Sequence, residues 1–134
     1  MVKKTALSEY VGTKKSKGIG AINVKEEDEL SVVTLIKDEP IVIVTKKGYA
    51  IKFNAEDITP MGRIAMGVKG INLGENDEVI AGLPVRHSED NLAIFSDNGY
   101  GKRVELSEIP LQKRGGKGVI VYKESTIAGQ ASAA

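Results

Sequence analysis

Ile41-Val42-Ile43-Val44-Thr45-Lys46-Lys47-Gly48-Tyr49-Ala50-Ile51-Lys52-Phe53 decides the fold. Its first four residues are apolar and β-branched, bounded by Pro40, and such side chains favour the pleated conformation of a strand. Lys47-Gly48 supplies a turn. From Tyr49 to Phe53 the side chains alternate across the turn, the period of a second strand. The stretch predicts a β-hairpin. A counterpart lies further on: Leu92-Ala93-Ile94-Phe95, then Asp97-Asn98-Gly99, then Gly101-Lys102-Arg103-Val104-Glu105. Asn-Gly is a strong hairpin signal because both turn positions tolerate positive φ.

Working outward, the remainder of the chain falls into the same frame. Leu7-Ser8-Glu9-Tyr10, Ala55-Glu56-Asp57-Ile58 and Leu106-Ser107-Glu108-Ile109 each lead through a basic loop to Gly18-Ile19, Gly67-Val68 and Gly118-Val119. Ile22-Asn23-Val24 followed by Asp28-Glu29-Leu30 matches Ile71-Asn72-Leu73 followed by Asp77-Glu78-Val79. The spacing is about 50 residues, the length of a four-stranded propeller-like blade. The reading is an all-β fold of roughly two and a half such blades in one domain fragment. Residues 1–39 form a partial blade, 40–88 a complete one and 89–134 a partial one. Further strands are expected around Lys3-Lys4, from Val68 to Leu73 and from Val79 to Val85. A glycine-rich loop spans 59–67. No amphipathic stretch reaches three helical turns. The interior is expected to hold Ile41, Ile43, Ile71, Leu73, Ile80, Leu92, Ile94 and Ile120.

Composition narrows the function classes. The 134 residues are 41% hydrophobic and 28% charged, with a net charge of +1. That balance fits a soluble globular chain, and any affinity for a polyanion must come from charge gathered on one face. No apolar run is long enough to span a membrane. Met1-Val2-Lys3-Lys4-Thr5 has no apolar core behind it and does not read as a signal peptide. Cysteine is absent, which removes disulfides, thiolate metal sites and a cysteine nucleophile and fits a reducing cytoplasm. Aromatic residues are 4% with no Trp, which disfavours base stacking as a binding mode. His87 is the sole histidine, so there is no metal set, and its spacing from Ser88 is not that of a triad. The glycine loops lack Gly-Lys-Ser/Thr and precede strands, unlike a phosphate-binding P-loop. No cofactor and no catalysis by this chain alone are expected.

The densest chemistry is Gln112-Lys113-Arg114-Gly115-Gly116-Lys117-Gly118, where cations alternate with glycines. Glycine permits positive φ and close backbone approach to another molecule, and a fixed row of cations suits a phosphate backbone. The other units carry basic loops at the matching place: Lys14, Lys15 and Lys17 in the first, Arg63 and Lys69 in the second. Basic strand positions recur as well, at Lys3 and Lys4, at Lys52, and at Lys102 and Arg103. The acids gather elsewhere, at Glu26-Glu27-Asp28-Glu29 and Glu75-Asn76-Asp77-Glu78, again in register. Phosphate contacts spread along an arc would position a duplex without reading its bases. Two plainer readings stand beside this one: solvated basic turns, and a β-repeat module that binds proteins.

The ordered recurrence of Gly-Tyr, Ser-Glu-Ile/Tyr and a basic glycine loop resembles the blades of the C-terminal domain of DNA gyrase A and of its counterpart in topoisomerase IV. Residues 112–118 match that family's gyrase A box at every position. Pro60-Met61-Gly62-Arg63 with Gly67-Val68-Lys69-Gly70 is similar to the equivalent loop of a blade without a box. The family's domain usually has more blades and carries its box in the first, whereas here the box falls in the last recognisable unit. The resemblance implies a β-pinwheel whose neighbouring blades exchange a strand and whose basic rim bends or wraps double-stranded DNA. It implies the accessory, non-catalytic part of a bacterial type II topoisomerase acting in supercoiling or decatenation. Its partners would be the rest of the gyrase A or topoisomerase IV polypeptide and the separate ATPase chain, in the cytoplasm at the nucleoid. The catalytic tyrosine belongs to another part of that polypeptide, so Tyr10, Tyr49, Tyr100 and Tyr122 are expected to pack or cap turns. Unpaired blade edges also predict self-association of copies.

Overall fold

In a computed structural model, residues 1–12, 18–123 and the backbone of 131–133 are described. Lys14, Lys15 and Lys17 lie outside them. The described residues hold seven strands and no α-helix; the helical turns are short 3-10 turns at Leu7–Tyr10, Ala55–Asp57 and Leu106–Glu108. Strands β1 (Ile41–Thr45), β2 (Tyr49–Phe53), β3 (Val79–Pro84) and β6 (Val119–Ile120) make one antiparallel sheet in the order β3-β1-β2-β6. Strands β4 (Asn91–Ser96), β5 (Gly101–Glu105) and β7 (Ala131–Ala133) make a second, in the order β5-β4-β7. The all-β architecture expected from the repeats is what the chain adopts.

The two hairpins are built alike. Gly48 (φ 88°) and Gly99 (φ 86°) take the left-handed turn position, and each amide donates back across the turn, to Thr45 O and Ser96 O at 3.0 Å. Thr45 and Ser96 are buried, and each hydroxyl accepts from the amide four residues on, of Tyr49 and Tyr100, at 3.1 Å. The acidic turns repeat too. Glu27 (φ 66°) and Asn76 (φ 57°) occupy matching left-handed positions, and Asp28 and Asp77 each accept the next residue's amide.

Two apolar clusters flank the β1–β2 hairpin. One lies between the sheets and joins Val42, Val44, Ala50 and Ala81 to Leu92, Ile94, Val104, Leu106, Ile109, Val121 and Tyr122. The other lies on the opposite face and contains Ile43, Ile51, Phe53, Ile58 and Ile71, with Val2, Ile41 and Val68 packed against it. This hairpin is therefore covered on both faces, which explains its nearly continuous apolar run. Ile43, Ile71, Leu92 and Ile94 are buried as expected, and Ile41 and Ile80 are half-buried against the clusters. Leu73 and Ile120 are not core residues, at 41% and 61% exposure. Ile120 ends the two-residue strand β6, and Val121 and Tyr122 turn inward in its place.

Val68 to Leu73 do not form the expected strand: only Val68 bridges, to Val2. Their backbone is engaged elsewhere: Gly70 O accepts from Gly115 N at 2.7 Å, and Asn72 N donates to Gly116 O at 2.8 Å. A backbone group bonded to a loop is lost to a ladder. Lys3 and Lys4 likewise follow a single bridge residue and are not in a strand.

Candidate nucleic-acid interface

The glycine loop 112–118 is docked along its length onto residues between 50 and 72. Gln112 N donates to Lys52 O at 2.9 Å, and the bonds of Gly115 and Gly116 to Gly70 and Asn72 hold its centre. Gly118 (φ 83°) passes so close to β2 that a Cβ there would stand 2.4 Å from Ala50 O. Gly115 (φ 85°) lies against the backbone and side chain of Lys69. Two of the loop's glycines thus serve its own left-handed turns and its contact with β2. The consequence is a platform held from beneath, carrying exposed Lys113 and Lys117. The Lys117 ammonium sits 5.1 Å from the centre of the Tyr49 ring, a cation–π contact that orients the side chain.

The structure divides the cations expected to bind DNA into two sets. Lys69, Lys102, Arg103, Lys113 and Lys117 are exposed or half-exposed, and none of them donates to a backbone carbonyl in the bonds described here. Lys3, Lys4, Lys52, Arg63 and Arg114 are half-buried and donate to backbone carbonyls. Lys3 Nζ reaches three of them, Ala21 O, Gly62 O and Arg63 O. Its pKa is lowered from 10.5, first by desolvation and then by the nearby Arg63 charge. Lys4 Nζ donates to Ala55 O at 3.0 Å and Lys52 Nζ to Leu106 O at 2.9 Å. Arg63 Nη1 donates to Gly20 O at 3.2 Å. Arg114 Nε and Nη1 donate to Asp57 O and Lys69 O at 2.8 and 3.0 Å.

Lys69, beside Gly115, is brought to the loop that carries Lys113 and Lys117. Lys102 and Arg103 belong to β5 in the other sheet, and as successive strand residues they project to opposite faces. The acidic turn at 75–78 is engaged separately: Lys47 Nζ donates to Glu75 O at 2.7 Å, Lys47 N to Asp77 Oδ1 at 2.9 Å, and Lys46 pairs with Glu78 at 3.6 Å. Among the described residues the ion pairs are Lys46–Glu78 and Arg86–Glu39, and neither involves a cation of the glycine loop. The part of Tyr49 as a rest for Lys117 was not legible in the sequence; its one signal is its fixed place after the turn glycine, shared with Tyr100.

The repeated sheets, the registered turns and the docked glycine loop define a propeller-like repeat protein of a recognisable class. The sequence matches the family described as "DNA gyrase C-terminal domain, beta-propeller" over residues 1–37, 39–86 and 90–126. The chain belongs to that family. It is 41% identical over 126 residues to the DNA gyrase A protein of Lawsonia intracellularis, covering 92% of this chain and 15% of that one. Among solved structures, the C-terminal domain of DNA topoisomerase IV superposes with a TM-score of 0.90 at 30% identity, over 98% of this chain and 41% of that one. The DNA gyrase A C-terminal domain gives 0.74 at 36% identity, over 85% of this chain and 39% of that one. The chain thus spans less than half the length of each of these relatives.

Proposed function

We propose that this chain binds double-stranded DNA through its phosphates, without sequence preference, and bends it as part of the accessory C-terminal domain of a bacterial type II topoisomerase. The observation that carries this reading is the glycine loop: Lys113 and Lys117 stand exposed on a backbone fixed from beneath, with Lys69 alongside. A rigid display of cations loses little freedom when it meets a phosphate row, and phosphate contacts position a duplex without reading its bases. Lys102 and Arg103, also exposed, extend the charge to the second sheet, and Lys14, Lys15 and Lys17 hold the matching sequence positions near the start of the chain. In the intact enzyme the partners are the rest of the same polypeptide and the ATP-driven chain, and the site of action is the bacterial nucleoid. Cleavage and rejoining of DNA belong to the other parts of that enzyme.

The test is a fluorescence-anisotropy titration of two unrelated 30-base-pair duplexes across a range of salt concentrations. Each phosphate neutralised contributes a slope of about −0.9 in log K against log salt. The proposal expects a steep slope, the same for both duplexes. A shallow slope would favour the protein-interaction module instead, and binding to one duplex only would overturn phosphate-backbone recognition.

A further inference from the structure

We infer that Lys4, Lys52, Arg63 and Arg114 are positioning residues: a repeating set of fasteners between units that fixes the angle from one unit to the next. The evidence is that the contacts themselves repeat. Lys4 and Lys52 hold the same place in consecutive units, and each donates forward to the residue that opens the next unit's 3-10 turn, Ala55 and Leu106. Arg63 and Arg114 also hold matching places, and each donates backward to matching carbonyls, of Gly20 and Lys69. A backbone bond accompanies each arginine: Asn23 N to Ala65 O at 3.2 Å, and Asn72 N to Gly116 O at 2.8 Å. Each of these two junctions is therefore tied in both directions by a cation and a carbonyl.

Why a cation serves here follows from the acceptors. Ala55 O and Leu106 O already accept the amides that close their 3-10 turns, Ile58 N and Ile109 N, and each lysine adds a charge-assisted bond to a second lone pair. Gly20 O and Lys69 O, by contrast, lie outside any ladder and are met by the arginines. A long charged side chain reaches across the junction and still keeps part of its hydration. The guanidinium of Arg114 spans two carbonyls with a fixed fork, which an ammonium does not reproduce. Its consequence for DNA rests on the reading proposed above: these residues set the curvature of the rim, while Lys113 and Lys117 supply charge to the phosphates.

The experiment compares Arg63→Gln/Arg114→Gln with Lys113→Gln/Lys117→Gln in the full chain, with Arg114→Lys as a charge-retaining control. Urea unfolding and amide hydrogen exchange need no DNA and so decide the inference even if DNA binding fails. The arginine variant should lower the urea midpoint by roughly 1 M and remove exchange protection at Asn72 and Gly115, with the β1–β2 ladder still protected. Arg114→Lys should show most of the same loss of protection. The lysine variant should leave both readouts unchanged and flatten the salt slope by about 1.8. Unchanged protection in the arginine variant, with a salt slope flattened as much as in the lysine variant, would overturn the inference and make the arginines phosphate ligands. If the arginine variant is too unstable to purify, the exchange pattern of Arg114→Lys alone decides: retained protection at Asn72 and Gly115 refutes the fastener.

Discussion

Replacing Gly118 with alanine separates two explanations of the glycine loop: approach to a ligand, or approach to the chain's own β2. Gly118 has φ 83°, and a non-glycine residue in that left-handed region costs about 1–2 kcal/mol. The added Cβ would stand 2.4 Å from Ala50 O, 2.8 Å from its carbonyl carbon and 3.2 Å from Ile51 N. All three are backbone atoms, so no side-chain rotation relieves the overlap. Relief requires β6 to move away from β2, where Val119 pairs with Ala50 and Ile120 with Tyr49. Losing one or two hydrogen bonds there adds about 1 kcal/mol each. The total is about 2–4 kcal/mol against a typical domain stability of about 5–15 kcal/mol. With a urea dependence near 2 kcal/mol per molar, the midpoint falls by about 1–2 M. Equilibrium unfolding followed by circular dichroism measures this, and a duplex titration on the still-folded variant should keep the wild-type salt slope. An unchanged midpoint with DNA binding abolished would show that the glycine serves the ligand and refute the packing argument.

Three further outcomes follow from the same geometry. Lys113→Gln with Lys117→Gln should weaken binding to unrelated duplexes by the same factor at a given salt concentration, and a loss confined to one sequence would contradict backbone recognition. The Glu39 carboxyl is held below its usual 4.5 by the amides of Lys37 and of Glu39 itself, with a smaller contribution from Arg86, which bonds it at 3.0 Å. Its stabilising contribution is complete above pH 4.5 and is lost as the pH falls through the lowered value, so Glu39→Gln should flatten the acid limb of a stability–pH profile without changing its alkaline limb. Leu30, Val33 and Leu35 are more than half exposed on a segment with no strand partner among the described residues, and strand-like apolar edges pair with other chains. Changing all three to serine should shift sedimentation toward monomer, and an unchanged distribution would place self-association elsewhere.

The hairpins were legible because turn chemistry is local. Gly48 and Gly99 announce φ values that few other residues adopt, and the flanking runs carry their own period. The acidic turns were legible for the same reason. Segment 68–73 reads as a strand in sequence, yet the backbone of Lys69, Gly70 and Asn72 is claimed by residues 114–116, a non-local contact that no periodicity encodes. Leu73 lies in that same segment, and Ile120 ends a strand of two residues, too short for alternation to place its side chain. The cations were the hardest to read. A lysine aimed at a carbonyl and a lysine awaiting a phosphate look alike in sequence, and only placement distinguishes Lys52 from Lys113. The one available signal was paired recurrence, since the carbonyls that Arg63 and Arg114 reach are as regularly spaced as the arginines.

The complete unit also has a timing imposed on it. The edge of β2 is closed by β6, and the Gly48 carbonyl is met by the amides of Val121 and Tyr122 at 2.8 and 3.2 Å. Those residues leave the ribosome roughly 70 positions after the hairpin they complete, a delay of about 4–14 s at ordinary rates of synthesis. Through that interval the hairpin is made but its outer edge is open. Folding in this chain therefore trails translation by about one repeat, and each newly emerged unit is the template that finishes the one before it.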